Sequence, residues 1–393
     1  MKINMSSPVL SEGDIKAVLN VLETRYLSLG PNIEAFESEL AAYVGSKFGA
    51  AVNSGTSGLH LAVIAAGVSD DNLVITTPFS FVSSANCILF ERATPIFVDI
   101  DPQTYNIDPK QVAQAVDDLA SGGKAADKWL PKELKGKRIK ENQLKAILAV
   151  DAFGQPADYD PLMETATEHG LSVIEDSCEA LGSEYKGRNA GALGDVGVFA
   201  FYPNKQITTG EGGMLVTDNE EWASLFFSLR NQGRDIFDAW LNHTRLGYNY
   251  RIDEMSAALG LSQLDRIEEL LDRRSTVAGW YSDHLAEIEE IRLPSILPET
   301  TKMSWFVYVI QLNSEDARNH VMSALGEKGI PSRPYFTPIH LQPFYTQRFG
   351  YSRGDFPHTE MAGDCCLALP FSGVMTEEEV LFVCKSIKKI LAT

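Results

Sequence analysis

The stretch 196–213, VGVFAFYPNKQITTGEGG, runs apolar and β-branched to Tyr202 and turns at Pro203, so a lysine, Lys205, follows a strand at once and precedes a glycine-rich segment. Ligands in an open α/β sheet bind outside the carboxyl ends of the strands, which aims this lysine at such a site. A lysine among apolar neighbours can act as a base and condense with a carbonyl. From this stretch alone, an exposed loop lysine is the plainer alternative. Two further strand ends change that weighting. Residues 171–176 (LSVIED) end in Glu175-Asp176, with Ser177-Cys178-Glu179 behind, and bring a carboxylate to the same edge. The strand at 50–53 runs into NSGTSG, placing Gly55, Thr56 and Ser57 just ahead of a helix. Helix N-termini expose N–H groups without intrahelical partners and the positive end of the dipole, which suits a phosphate.

Lysine, acid and phosphate cup together are what pyridoxal 5′-phosphate requires. Its aldehyde condenses with a lysine, its ring nitrogen keeps a proton when an aspartate pairs with it, and its phosphate needs backbone and hydroxyl donors. The ring also needs a flat apolar neighbour, and TTPFSFVSSAN after the strand at 73–77 offers Phe79 and Phe81. Either phenylalanine could equally be core packing.

The elements that must carry these residues follow from periodicity. Ser11, followed by Glu12 to Asp14, opens a first helix; a second starts after Pro31, places Ile33, Phe36, Leu40, Tyr43 and Val44 on one stripe, and stops at Gly45. Apolar runs at 73–77, 95–100, 146–151, 171–176, 196–202 and 213–217 read as strands, and 57–67, 80–92, 109–119, 159–169 and 219–230 as helices between them. Nearly continuous apolar strands separated by helices predict a doubly wound, mostly parallel sheet covered on both faces. Residues 252 to about 288 read as helical, 305–311 as a strand, 314–328 as a helix and the C-terminus as an amphipathic helix. The expected division is a large α/β domain over 1–244 and a smaller α+β domain over 245–393.

NSGTSGLHLA, TTPFSFVSS, VIEDSCEALGS, FYPNKQITTGEGGM, LGYNYRIDEMSAALGLSQLDR and RPYFTPIHLQPFY, in this order, resemble the DegT/StrS sugar aminotransferases, fold type I pyridoxal phosphate-dependent transferases, and especially their perosamine synthase-like branch. The resemblance runs from residue about 8 to about 390. It implies that Lys205 carries the cofactor and moves the proton between the donor's Cα and the cofactor. Asp176 would pair with the ring nitrogen, Phe81 would stack on the ring, and Gly55, Thr56 and Ser57 would hold the phosphate. Glu179 falls where many members carry Gln or His beside the cofactor's phenolic oxygen; a carboxylate there repels a phenolate unless it holds a proton or turns away. Asn249 and Arg251 fall where such enzymes reach across a homodimer, with Asn249 the better candidate for the partner's phosphate and Arg251 on the substrate side. Tyr335 and His340 resemble residues near a nucleotide-sugar pocket, although a hydrogen-bonded structural histidine is an equal reading of His340. Ala200 stands where members often carry serine, shifting the phosphate onto Thr56, Ser57 and the partner chain. Some relatives replace the lysine with histidine and become dehydratases, which Lys205 argues against.

The activity so implied is transfer of an amino group from L-glutamate to the ketone, at C4 by the branch resemblance, of a nucleotide-linked keto-deoxy sugar, yielding an amino sugar for a surface polysaccharide or related glycan. A C3-keto sugar, a cyclitol ketone, or a non-catalytic cofactor-binding regulator are the alternatives.

The 393 residues, 44% hydrophobic and 22% charged, fit a globular chain, and 34 Lys+Arg against 53 Asp+Glu give −19, with a pI near 4.8. That balance argues against nucleic acid or an anionic membrane surface as a general partner. No signal peptide or membrane span is legible, and the five cysteines lack a C-x-x-C pair, so a cytoplasmic enzyme is expected. The seven histidines are scattered without metal-ligand spacing, and no metal is expected. One segment, 124–145, carries seven Lys and one Arg against three acids, about +5. It reads as a solvated insertion or, more sharply, as a lid favouring a phosphorylated substrate.

Overall fold

A computed structural model describes residues 3–140, 142–234 and 242–392. The chain opens with α1 (Glu12–Thr24) and α2 (Pro31–Val44), then alternates β1 (Phe48–Val52), α3 (Gly55–Ala65), β2 (Leu73–Thr76), α4 (Ser83–Phe90), β3 (Thr94–Phe97), α5 (Pro109–Ser121), the short α6 (Gly123–Asp127), β4 (Leu144–Val150), α7 (Tyr159–His169) and β5 (Ser172–Asp176). A hairpin, β6 (Glu184–Tyr185) and β7 (Arg188–Asn189), precedes β8 (Val196–Ala200), β9 (Gly213–Thr217) and α8 (Glu220–Arg230). The C-terminal part comprises α9 (Glu254–Leu264), α10 (Ile267–Leu285), β10 (Ile291–Arg292), β11 (Thr300–Lys302), β12 (Tyr308–Leu312), α11 (Glu315–Glu327), β13 (Arg333–Pro334), α12 (Pro343–Phe349), α13 (Pro357–Cys365), β14 (Cys366–Leu369) and α14 (Glu377–Leu391).

The helix ends obey the local chemistry. Ser11 and Asp14 form a capping box, Asp14 N–H donating to Ser11 Oγ and Ser11 N–H to Asp14 Oδ2. Gly45 closes α2 in the left-handed region at φ 88°.

Seven strands make the central sheet, in the order β1-β9-β8-β5-β4-β2-β3. The pairs β8–β5, β5–β4, β4–β2 and β2–β3 are parallel, whereas β9 runs against both β8 and β1. Residues 201–212 contain no crossover helix, so the chain doubles back beside β8 instead of crossing the sheet. The sheet interior is apolar on both faces, with Val74, Ile75, Ile147, Leu148, Val173 and Ile174 all buried, as a covered parallel sheet requires.

A second, antiparallel sheet, β10-β12-β14-β13, packs its own core against α10, α11 and α14. That core takes up Val277 onward from α10 but also Ile3, and Phe371 N–H donates to Met5 O. Ile252, Ala257, Leu264, Ile267 and Leu271 pack instead with α2 and the β8–β9 side of the large sheet. The division expected at residue 244 therefore falls ahead of the point, within α10, where packing passes from one core to the other, and the N-terminus joins the small unit.

The basic segment does not cover the carboxyl edge of the sheet. Gln143 O accepts from Leu73 N–H, and Gln143 Nε2 donates to Asp71 O, which fixes the segment at the starts of β2 and β4. Its earlier part lies along α12, where Lys132 N–H donates to Phe349 O. Trp129 and Leu130 are its apolar anchors. Glu141 lies outside the described residues.

Candidate active site

Four turns at the carboxyl edge of the sheet converge on a cavity of about 430 Å³, within the ~300–1,000 Å³ usual for small-molecule and cofactor sites. β1 leads to Ser54, β2 to Ser80 and Phe81, β5 to Asp176 and Glu179, and β8 to Lys205, and all of these line it.

Asp176 ends β5 in mid-sheet, paired with Val150 of β4 and Val198 of β8, and is 5% exposed. Its Oδ2 accepts from Ser84 Oγ at 2.6 Å and its Oδ1 from the Cys178 N–H at 3.3 Å. Lys205 sits in the turn after β8, its N–H donating to Tyr202 O. Its Nζ stands 3.9 Å over the Phe306 ring and 3.7 Å from Glu179 Oε1. Glu179 is buried, and Phe153 N–H donates to its Oε2 at 2.9 Å. Burial pushes its carboxyl up to about 7, the Lys205 charge offsetting only part of that. Its environment thus favours the proton-bearing form that a neighbouring phenolate would tolerate.

On the same lining, Gly55 and Thr56 open α3 with N–H groups that have no intrahelical acceptor. Ser54 caps the helix by accepting from Ser57 N–H at 3.1 Å. Ser57 itself is turned away: its hydroxyl donates to Asn53 Oδ1 at 2.7 Å, and it does not line the cavity. Ser54, Gly55 and Thr56 are the residues of this turn that line the cavity, and Ser57 is not among them. The Ala200 methyl packs where a side chain on Gly55 would stand, 2.7 Å from a Cβ built there.

Phe81 lines the cavity and is 63% exposed, whereas Phe79 is fully buried among Tyr105, Phe153 and Phe336. Of the two, Phe79 is core. Tyr335 also lines the cavity, its hydroxyl pushed up by burial and then by Glu179. His340 does not reach it: fully buried, it pairs with Glu360 at 3.1 Å and packs edge-on to Phe356. His340 thus sits among Glu360 and the half-buried rings of Tyr351 and Phe356, off the cavity lining. Arg251 is spent as well, Nη1 donating to Asn231 Oδ1 and Gln232 Oε1. Asn249 is exposed and outside its own chain's cavity lining.

Several groups escape the sequence pattern. Ser84 lies within the TTPFSFVSS stretch, and its spacing of three from Phe81 was the signal available. Phe306 and Arg274 gave none. Arg274, buried in α10, donates to the carbonyls of Asn204, Lys205, Trp305 and Phe306 and so ties the lysine turn to the start of β12. Burial without a carboxylate partner lowers its guanidinium to about 10.

These groups fit pyridoxal phosphate: an acid, a lysine, the N–H groups and hydroxyls of a helix N-terminus on one lining, and Asn204 Oδ1 buried there without a hydrogen-bond partner among the described residues. Comparison with known proteins agrees. Residues 8–388 match the DegT/DnrJ/EryC1/StrS aminotransferase family. The GDP-perosamine synthase of Caulobacter vibrioides is 34% identical, over 99% of this chain and 98% of its own. Spore coat polysaccharide biosynthesis protein SpsC of Bacillus subtilis is also 34% identical, over 98% and 96%. Among solved structures, Helicobacter pylori PseC, an aminotransferase involved in the biosynthesis of pseudoaminic acid, superposes with a TM-score of 0.86 at 28% identity, over the whole of both chains.

Proposed function

This chain belongs to the DegT/DnrJ/EryC1/StrS aminotransferase family, and from that premise we propose that it moves the amino group of L-glutamate onto C4 of a nucleotide-linked 4-keto-6-deoxy sugar. It is a pyridoxal phosphate-dependent sugar aminotransferase; the donor, the nucleotide, the position and the role of each residue are the proposal. The observation that carries it is the meeting of Lys205, Asp176 and the first turn of α3 in one cavity.

When bound, the cofactor supplies an aldehyde carbon that takes up the amino group and a protonated ring that draws electrons from the donor's Cα. Asp176 holds the ring nitrogen, and Ser84 keeps that carboxylate turned inward. Gly55, Thr56 and Ser54 hold the phosphate. Lys205 Nζ removes and returns the proton at the donor's Cα. Glu179, beside Lys205 and raised by burial to about 7, takes up a proton as pH falls through neutrality.

The sugar nucleotide extends from the cavity into a groove of about 830 Å³ that shares Ser80 and Phe81 with it. Arg348, over the rings of Phe344 and Phe349, offers that groove a cation and exposed aromatic surface for a diphosphate and a base. The product is an amino sugar for a surface glycan, in keeping with relatives named for perosamine and for spore coat polysaccharide.

The working unit is a homodimer whose partner covers the exposed side of Phe81 and Tyr202, with Asn249 reaching into the second copy's phosphate site. The exposed Ile15, Leu19, Leu22 and Tyr26 of α1 and its C-terminal turn support a self-association surface. The test is direct: the purified protein should be yellow, lose that colour with glutamate, and regain it with a C4-keto nucleotide sugar but not with a C3-keto sugar or a cyclitol ketone. A colourless protein, or one in which Lys205→Ala still bleaches with glutamate, defeats the reading.

A further inference from the structure

Asn249 lies between two tyrosines, and in an extended segment alternate side chains leave opposite faces. Residues 248–250 are held extended from both sides. Tyr248 N–H donates to Leu229 O and Tyr250 N–H to Arg230 O, while Tyr250 O accepts from Asn53 N–H. The two tyrosine rings stack, 4.9 Å apart and 11° from parallel, and both meet the ring of His60 edge-on. His60 is 3% exposed and lies in α3, the helix whose first turn lines the cavity. Its Nδ1 is 3.1 Å from Tyr250 Oη and its Nε2 2.8 Å from Glu91 Oε1, and the Tyr248 hydroxyl reaches the same carboxylate oxygen at 3.4 Å. The parity that turns both tyrosines onto His60 turns Asn249 outward, where it is exposed. A slip of one residue would exchange the two faces.

We propose that His60, braced by Glu91, is a positioning residue for the cofactor site of the second copy: it fixes the rotation of segment 248–250 and thereby aims Asn249 across the dimer. This rests on the reading of Asn249 given above. It carries a consequence that a purely structural histidine would not have. His60 sits in the helix that forms its own chain's phosphate cup, yet the site that depends on its hydrogen bonds is the other one.

Mixed dimers separate the two cases. A dimer with one Lys205→Ala chain has a single lysine-bearing site, and the visible absorbance gained when pyridoxal phosphate joins Lys205 reports that site alone. His60→Ala, or Tyr250→Phe, which removes only the hydroxyl that His60 holds, is placed first on the Lys205→Ala chain and then on the lysine-bearing chain. Titration of pyridoxal phosphate into the cofactor-free dimer should show Kd raised about tenfold in the first arrangement, the loss of roughly one charge-assisted hydrogen bond, and unchanged in the second. His60→Asn, whose amide can still reach Tyr250, should restore most of the affinity. Equal weakening in both arrangements, weakening only in the second, or no effect in either overturns the proposal. Asn249→Ala carried through the same pair tests the underlying reading separately. If it weakens binding only from the lysine-bearing chain, Asn249 serves its own site and that reading fails. If it acts across the dimer while the His60 and Tyr250 variants do nothing, the reading stands and the role of His60 falls.

Discussion

Among single residues, Glu179 has the clearest energetic signature. An ordinary glutamate titrates near 4.5, and burial raises this one to about 7 in the cofactor-free protein. The folded state therefore binds the proton more tightly than the unfolded state, so the stability contributed by the protonated group is fully present below about 4.5. It is lost as pH rises through about 7, by roughly 3 kcal/mol in all. Glu179→Gln keeps an acceptor for Phe153 N–H and cannot ionise. Thermal melts of the cofactor-free variant should show a gain of several degrees over the parent at pH 8 and almost none at pH 4.5; an equal gain at both values would mean the carboxyl is not raised. Glu179, Lys205 and Asp176 were legible in the sequence because each follows an apolar strand, and strand ends of a doubly wound sheet share one edge. The placement of His340 and Ser57 off the cavity lining was not legible, for the opposite reason. Their neighbours in sequence do not reveal that Glu360 and Asn53 already hold them.

At the scale of elements, α3 supplies lining residues of the cavity and α10 holds the turn that carries Lys205. Gly55 lets the first turn of α3 lie against β8: a Cβ there would stand 2.7 Å from the Ala200 Cβ and 3.0 Å from Cys178 Sγ. Gly55→Ala is expected to cost roughly 1–3 kcal/mol by overpacking and to weaken pyridoxal phosphate binding with it, read as a lower urea midpoint and a higher Kd. In α10, Arg274 spans four carbonyls that an ammonium cannot reach together. Arg274→Lys should lose about 2 kcal/mol of stability and lower kcat more than KM, because the turn presenting Lys205 loosens while the groove is untouched. The periodicity of α10 predicts its helix but not this role, since a helical face says which residues are inside and not which loops they meet.

For the molecule as a whole, an acidic chain of net charge −19 is expected to bind an anionic cofactor and an anionic sugar nucleotide. Positive potential is concentrated where it is needed, at the first turn of α3, at Lys205 and Arg274, and at Arg348 beside the groove. The basic segment 124–145 lines neither the cavity nor the groove: its end is anchored at the starts of β2 and β4, and Lys132 reaches only the last residue of α12, Phe349. Reversing three of its lysines should therefore leave KM for both substrates within twofold, whereas Arg348→Ala should raise KM for the nucleotide sugar about fivefold, roughly 1 kcal/mol, and spare the glutamate half-reaction. Steady-state kinetics on the two variants decide between them. Legible from the chain alone were the covered parallel sheet, the helices between its strands, and the convergence of Lys205, Asp176 and the start of α3, all of which follow from local periodicity and the geometry of strand ends. The antiparallel return of β9, the passage between cores inside α10, the Arg274 clasp and the partners of His60, Ser57 and His340 emerge only in the folded chain. Each of these depends on contacts between residues far apart in the chain, and such contacts leave no period in the sequence to read.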